Sequence, residues 1–208
     1  MRKARKPLCL LLCAVLLLSM SAAALGANNN YSSWFQTNYD EINKLGLMPA
    51  SFNGLDLTKD ITRGEMCELA VYAFEKATGN DIDMSNETFT GFTDTSNENI
   101  VKAHLYGIVN GYADGTFQPD QTISREQMAA ILYRYAQYKG CDVSVGEDTN
   151  ILSYTDAAQV AEYAIPAFQW AVGAGIINGT TASTLSPKGS ATRGQVAAIL
   201  HRYCEWIG

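Results

Sequence analysis

The stretch Gly107-Ile108-Val109-Asn110-Gly111-Tyr112-Ala113-Asp114-Gly115-Thr116-Phe117-Gln118-Pro119, followed by Ile123-Ser124-Arg125-Glu126-Gln127, decides how this 208-residue chain is read. A glycine stops one helix, a loop of turn-forming residues follows, and a hydroxyl-Arg-x-Glu/Gln phrase opens the next helix. The phrase occurs twice more. Leu45-Gly46-Leu47 leads to Thr62-Arg63-Gly64-Glu65, and Gly175-Ile176-Ile177-Asn178-Gly179 leads to Thr192-Arg193-Gly194-Gln195. From glycine to arginine the spacing is 17, 18 and 18 residues, and successive arginines stand 62 and 68 apart. Self-similarity at that period predicts a repeat architecture, so fold and function are read per unit.

Each unit reads as helix, loop, helix, which makes the fold class all-α. First helices are expected over 34–45, 97–106 and 160–174, with Pro166 marking a first turn in the last of them. The second helices carry apolar residues at i, i+3, i+4 spacing: Met66, Leu69, Ala70 and Phe74; Met128, Ile131, Leu132 and Tyr135; Val196, Ile199, Leu200 and Tyr203. Three such faces bury most economically against each other as a central three-helix bundle, with the first helices outside. Polar linkers over 78–89 and 139–150 carry the chain between units expected at 28–79, 88–140 and 151–208.

Arg2, Lys3, Arg5 and Lys6 precede an unbroken apolar run from Leu8 to Leu18, and small residues follow up to Gly26-Ala27. That is the pattern of a secretory signal peptide over 1–27. The run falls well short of the ~20 residues of a membrane helix, so no permanent membrane span is expected after cleavage. Leu12 ahead of Cys13 argues against a lipid anchor. Of 15 Lys+Arg, four lie in this leader, which leaves about 11 against 21 Asp+Glu. So acidic a body repels nucleic acid and anionic membranes at long range, and any anion it binds must be captured by local geometry.

Cys67, Cys141 and Cys204 are too few and too scattered for a disulfide framework or a metal site. Cys67 and Cys204 read as small core residues, and Cys141 as a linker thiol. His104 and His201 are isolated from any nucleophile. Asp114-Gly115 lacks the alternating ligands of a calcium loop. The sequence therefore offers no catalytic constellation, cofactor or metal.

Thr62 with Glu65, Ser124 with Gln127 and Thr192 with Gln195 fit the capping box, which puts Arg63, Arg125 and Arg193 at the first helical position. A cation there faces the positive end of the helix dipole and is locally disfavoured by a few tenths of a kcal/mol. Two readings account for it. Each arginine pairs with an acidic residue across a unit boundary, for which Asp94 and Asp156 are available in the matching phrases Phe92-Thr93-Asp94 and Tyr154-Thr155-Asp156. Alternatively, guanidinium, free first-turn N–H groups and dipole together form a socket for a carboxylate or phosphate. As a surface group, Arg125 is expected to cost less than about 1 kcal/mol on removal.

Taken together, the aromatic-x-Asp opening, Gly-Ile-Val-x-Gly, the Gly-x-Phe-x-Pro loop and apolar-Thr/Ser-Arg resemble the S-layer homology (SLH) repeat of bacterial surface proteins. Unit two matches best, with Glu126 in the usual alanine place and Gln127 closing the cap. Unit three has Leu185-Ser186-Pro187 in place of Phe-x-Pro, and unit one has Phe52-Asn53-Gly54-Leu55-Asp56-Leu57 where that loop belongs. The resemblance implies a pseudo-threefold arrangement and non-covalent attachment to a secondary cell-wall polymer or peptidoglycan-linked glycan, often pyruvylated, in grooves between repeats. It places Arg63, Arg125 and Arg193 against the ligand's acid group; Asp94 and Asp156, in the matching aromatic-x-Asp openings, are expected among the ligand-binding residues as well. Gly111, Tyr112, Gly115 and Gly179 would supply the groove loops, and Tyr112 or Trp170 a face for sugar rings. The groove using unit two's loop is the first choice. The implied protein is a secreted, non-enzymatic wall-binding module, with protein–protein interaction or self-assembly into a surface layer as the alternative.

Overall fold

The computed structural model describes residues 36–78, 84, 91–145 and 151–207. The expected signal peptide, Trp34, the linker positions 79–83, 85–90 and 146–150, and the side chain of Phe74 lie outside the described residues. Within them the chain forms six α-helices and no extended strand: α1 (Gln36–Lys44), α2 (Arg63–Thr78), α3 (Glu98–Leu105), α4 (Arg125–Tyr138), α5 (Ile165–Gly173) and α6 (Arg193–Ile207). The first helices α1, α3 and α5 are each followed by a glycine in the left-handed region, Gly46 (φ 66°), Gly107 (68°) and Gly175 (70°), which ends a helix without a Cβ penalty. α5 is shorter than the periodicity suggests. Residues 157–164 form two 3₁₀ turns, and Pro166 occupies the first turn of α5, where its missing N–H costs nothing.

The three helices opened by arginine bury their apolar faces in one core, with Met66, Met128 and Val196 at 0 % exposure. The rings of Tyr135 and Tyr203 meet edge-on at 5.9 Å between α4 and α6. The closest helix pairs, however, are α2 with α3, α4 with α5 and α6 with α1. Each second helix therefore lies chiefly on the first helix of the following unit, where the sequence suggested its own kind as main neighbour. α5 is too apolar to sit outside: it buries Ala167, Phe168, Trp170 and Ala171. Cys67 is fully buried, which pushes its thiol up to about 12, whereas Cys204 is only partly buried.

The same handover governs the backbone at the helix entrances. Arg63 N and Gly64 N donate to Gln121 O and Pro119 O (2.8 and 2.9 Å); Arg125 N and Glu126 N to Gly189 O and Pro187 O (2.9 and 3.0 Å); Arg193 N and Gly194 N to Lys59 O and Leu57 O (both 2.9 Å). Isolated antiparallel bridges Thr62–Thr122, Ser124–Ser190 and Asp60–Thr192 flank these contacts. Each helix entrance is thus closed by the loop of the next unit, and the last by the loop of the first.

One joint carries an extra pin. Glu126, 5 % exposed, stands where α2 and α6 have Gly64 and Gly194. Its carboxylate accepts from Ala161 N (3.0 Å), Tyr163 Oη (3.4 Å) and Lys188 Nζ (2.6 Å), tying α4 to the 3₁₀ turns before α5. Lys188 is more than half exposed, so its share is screened, but the Ala161 N–H loses its acceptor if the carboxylate is removed. We expect Glu126→Ala to lower unfolding free energy by about 1–3 kcal/mol in urea titration, and Glu126→Gln to recover part of that loss.

Candidate functional site

The groove-side loops are held from two directions. Asp94 accepts from Phe117 N (2.8 Å) and Gln118 N (2.7 Å), and Asp156 accepts from Leu185 N (2.8 Å) and Ser186 N (2.7 Å). Gln118 and Ser186 have φ of 58° and 52°, an uncommon left-handed conformation for residues other than glycine, and the aspartates fix it in place. From the other side, Arg63 Nε donates to Phe117 O (3.1 Å) and Arg125 Nε to Leu185 O (2.9 Å). Their Nη2 atoms reach Asn110 O (3.3 Å) and Asn178 O (2.7 Å). The guanidinium of Arg63 also lies over the rings of Phe117 (4.6 Å) and Tyr112 (5.1 Å).

This geometry corrects three expectations. Asp94 and Asp156 form no ion pair with the arginines; their lone pairs go to backbone N–H groups, and a single residue, Phe117 or Leu185, is gripped at its N–H by aspartate and at its C=O by arginine. The first-turn N–H groups are not free for an anion either. The first two of each helix are taken by the next loop, and the third is capped, as in Gln127 N to Ser124 Oγ (3.3 Å) and its counterparts at Glu65 and Gln195 (3.2 Å each). Finally, Arg125 is 5 % exposed, so its removal forfeits two charge-assisted bonds of about 1.5–3 kcal/mol each, far beyond a surface substitution.

The glycines of the loops have packing reasons. A Cβ on Gly111 would stand 2.3 Å from Phe92 Cε1 and 2.8 Å from Thr116 O. On Gly179 it would stand 2.5 and 2.7 Å from the carbonyls of Thr181 and Thr184. Gly115 turns the loop at φ 83°. Tyr112 is 40 % exposed, with its ring beneath the Arg63 guanidinium. Trp170, expected as a stacking face, is 2 % exposed and packed edge-on against Tyr133, Tyr203 and Trp206, so it has no face to offer a sugar.

At Arg125 a pocket of about 210 Å³ opens, lined by Asn178, Gly179, Thr180, Gln195, Ala198, Ile199 and Arg202 as well as Arg125 itself. It uses unit three's loop, not the unit-two loop favoured from sequence. Two guanidiniums line it and no carboxylate does. Burial pulls Arg125 down from its ordinary value and the like charge of Arg202 adds to this, with Asp156 opposing; burial likewise pulls Arg202 down. An anion in the pocket would relieve both. Arg202 went unnoticed in the sequence, although it stands nine residues after Arg193, in register with Arg134 nine after Arg125.

Arg193 is placed differently. Its Nε and Nη2 meet Glu65 (3.0 and 2.8 Å at closest) and its Nη1 donates to Asp56 O (2.9 Å), so every guanidinium nitrogen is engaged. Arg63 and Arg125 have no carboxylate within salt-bridge reach among the described residues.

Helix pairs clasped by arginine across unit boundaries define a helical repeat protein, with a pocket at the Arg125 joint. Residues 92–129 and 153–197 match the S-layer homology domain. The chain is similar to an endoglucanase of Bacillus sp. (strain KSM-635), 24 % identical over 96 % of this chain and 22 % of that protein. It is also similar to an amylopullulanase of Thermoanaerobacterium thermosulfurigenes, 31 % identical over 61 % of this chain and 7 % of the relative. A cellulosome-anchoring protein of Acetivibrio thermocellus is 26 % identical over 51 % and 22 %. The chain spans under a quarter of the length of each of these relatives. Among the described residues no helix is long and apolar enough to cross a membrane.

Two tests follow from the clamps. Backbone donors lower Asp94, Phe117 N–H foremost; burial raises Asp156, but the Leu185 and Ser186 N–H groups and Arg125 reverse this, so both carboxyls lie below 3.8 in the folded chain. Their contribution is complete above that value and is lost as pH falls through the lowered folded values. Acid titration of the folded state should therefore show a stability decrement starting below about pH 4 that is smaller in the Asp94→Asn, Asp156→Asn double variant. Gly179→Ala should destabilise by about 1–3 kcal/mol in thermal unfolding, because the obstacles are backbone carbonyls that cannot step aside.

Proposed function

We propose that the chain is a module of three S-layer homology repeats, over 28–79, 88–140 and 151–208, in pseudo-threefold arrangement about a central bundle. Its task is to hold its protein at the bacterial cell surface by binding an acidic, pyruvylated secondary wall polysaccharide in the grooves between repeats. The closed circuit of backbone bonds supports the arrangement, and the similarity to an anchoring protein supports the task.

The observation that carries the ligand class is the carboxylate-free pocket holding Arg125 and Arg202. A sugar-borne carboxylate entering it meets two cations with no internal competitor, in surroundings where charge-assisted bonds contribute about 1.5–3 kcal/mol each. Asn178, Thr180 and Gln195 offer the neutral donors and acceptors that sugar hydroxyls require. Such sites are weak singly, and two or more along one polymer gain avidity through effective concentration. No reaction is assigned: the pocket holds cations and amides, without a general base beside a nucleophile.

Sedimentation of the chain with purified sacculi, before and after acid removal of the polymer, tests this reading. We expect co-sedimentation that is lost after stripping and weakened at least tenfold in Arg202→Gln. That variant is the cleaner probe because the hydrogen bond of Arg202, Nε to Ala198 O (3.1 Å), lies within its own helix. Binding that survives stripping would favour attachment to protein or to the lattice of the chain itself.

A further inference from the structure

Three equivalent positions compare the joints between each arginine-opened helix and the first helix of the next unit: the residues eight and twelve places after the arginine, and the residue five places before the stop glycine. Between α2 and α3 these are Val71, Glu75 and Lys102, and between α4 and α5 they are Tyr133, Gln137 and Trp170. Lys102 Nζ meets Glu75 at 2.9 Å, both side chains largely buried, and Trp170 meets Tyr133 ring to ring at 5.6 Å. Between α6 and α1 the residues are His201, Glu205 and Glu41. Two carboxylates thus stand where the first joint has a lysine and a glutamate. The imidazole lies between them, with Nε2 3.5 Å from Glu41 and Nδ1 3.9 Å from Glu205.

We infer that the joint between α6 and α1 is a pH-sensitive clasp: a proton on His201 supplies the positive charge that Lys102 supplies between α2 and α3, so that α1 is held more tightly at mildly acidic than at mildly alkaline pH. A neutral imidazole has one N–H and one lone pair. With a carboxylate at each ring nitrogen it donates to one and presents its lone pair to the other. The imidazolium donates at both nitrogens and compensates two like charges that otherwise repel across the joint. Among the described residues no other charged group is in salt-bridge reach of the ring; Asp40 and Lys44 of α1 are not, and Arg202, next in the chain, lines the Arg125 pocket and feels the charge of Glu205. His201 is 9 % exposed, but both glutamate side chains are more than half exposed, so the clasp is modest in strength and weakened by salt. Docking of α1 and protonation of the ring favour each other by linkage. The contribution is complete while the ring carries its proton and is lost as pH rises through its titration, which for histidines generally falls between about pH 5 and 8.

Hydrogen exchange of the full chain at low salt, read at the amides that close α1, tests the clasp. Leu45 N donates to Glu41 O at 2.9 Å and Leu47 N to Ile42 O at 3.1 Å, and a helix of 9 residues does not hold such bonds once it comes away from its neighbour. Between about pH 8 and about pH 5.5 the protection factors of these amides should rise about three- to tenfold, the size of one or two exposed ion pairs. Glu41→Gln should at least halve that rise, and the Glu41→Gln, Glu205→Gln double variant should abolish it. Glu41→Lys recreates opposite Glu205 the arrangement of Lys102 with Glu75, so its protection should no longer increase in acid. Both glutamates are exposed, and these substitutions leave the core intact. Equal protection at both pH values in the native chain would overturn the inference, as would an undiminished rise in the double variant or in Glu41→Lys.

Discussion

The rest of the molecule depends on one transaction: each arginine-opened helix gives its first N–H groups and its guanidinium to the loop of the unit that follows. A helix begins with orphan donors that need partners, and a loop rich in Gly, Asn and Pro leaves carbonyls that need them too. Pairing the two solves both problems at the same boundary. No unit completes its hydrogen bonding alone, which is the general condition of repeat proteins, where neighbours supply what each unit lacks. Here the series closes on itself, because Arg193 and Gly194 return to the loop at Leu57 and Lys59.

Much of this is legible in the chain. The glycine stops, the capping residues and the i, i+3, i+4 stripes locate five of the six helices to within about two residues, because they express local chemistry. α5 is the exception: its apolar stripe runs back to Val160, but 3₁₀ turns occupy that stretch and Pro166 sets the true start. What the sequence conceals is partnership. Asp94 and Arg63 look like an ion pair in one dimension, yet in space they hold opposite ends of the same residue, and nothing in their spacing says so. Trp170 misleads for a similar reason. An aromatic near an expected groove reads as a stacking face until neighbours from α4 and α6 enclose it. Arg202 and Glu65 were visible all along, but only an alignment of the three helices from their arginines brings out their meaning.

The site and the fold draw on the same residues, and this shapes how the joints can vary. Arg125 uses Nε and Nη2 to hold the next loop, so the groove chemistry is left to what surrounds the guanidinium rather than to the guanidinium alone. The arginine holds the next loop, so substituting it disturbs the handover, whereas the positions two, five and nine residues into the neighbouring helix take no part in its backbone bonds. Divergence among the joints falls at those positions, in Gln or Glu, Ala or Glu, Arg or Tyr.

The joint that carries the carboxylate is also the one that closes the circuit. Arg63 reaches its partner carbonyl across 54 residues of chain and Arg125 across 60, whereas Arg193 reaches Glu65 across 128 and Asp56 across 137. Loop-closure entropy grows by about 0.6 kcal/mol for each doubling of length, so the final joint is the costliest of the three to form by roughly that amount. A forked Arg–Glu pair, partly shielded from water, is of the right size to offset such a difference, and stronger than the neutral contacts a glutamine would give. The charge of Glu65 therefore reinforces the place where the circuit is entropically weakest.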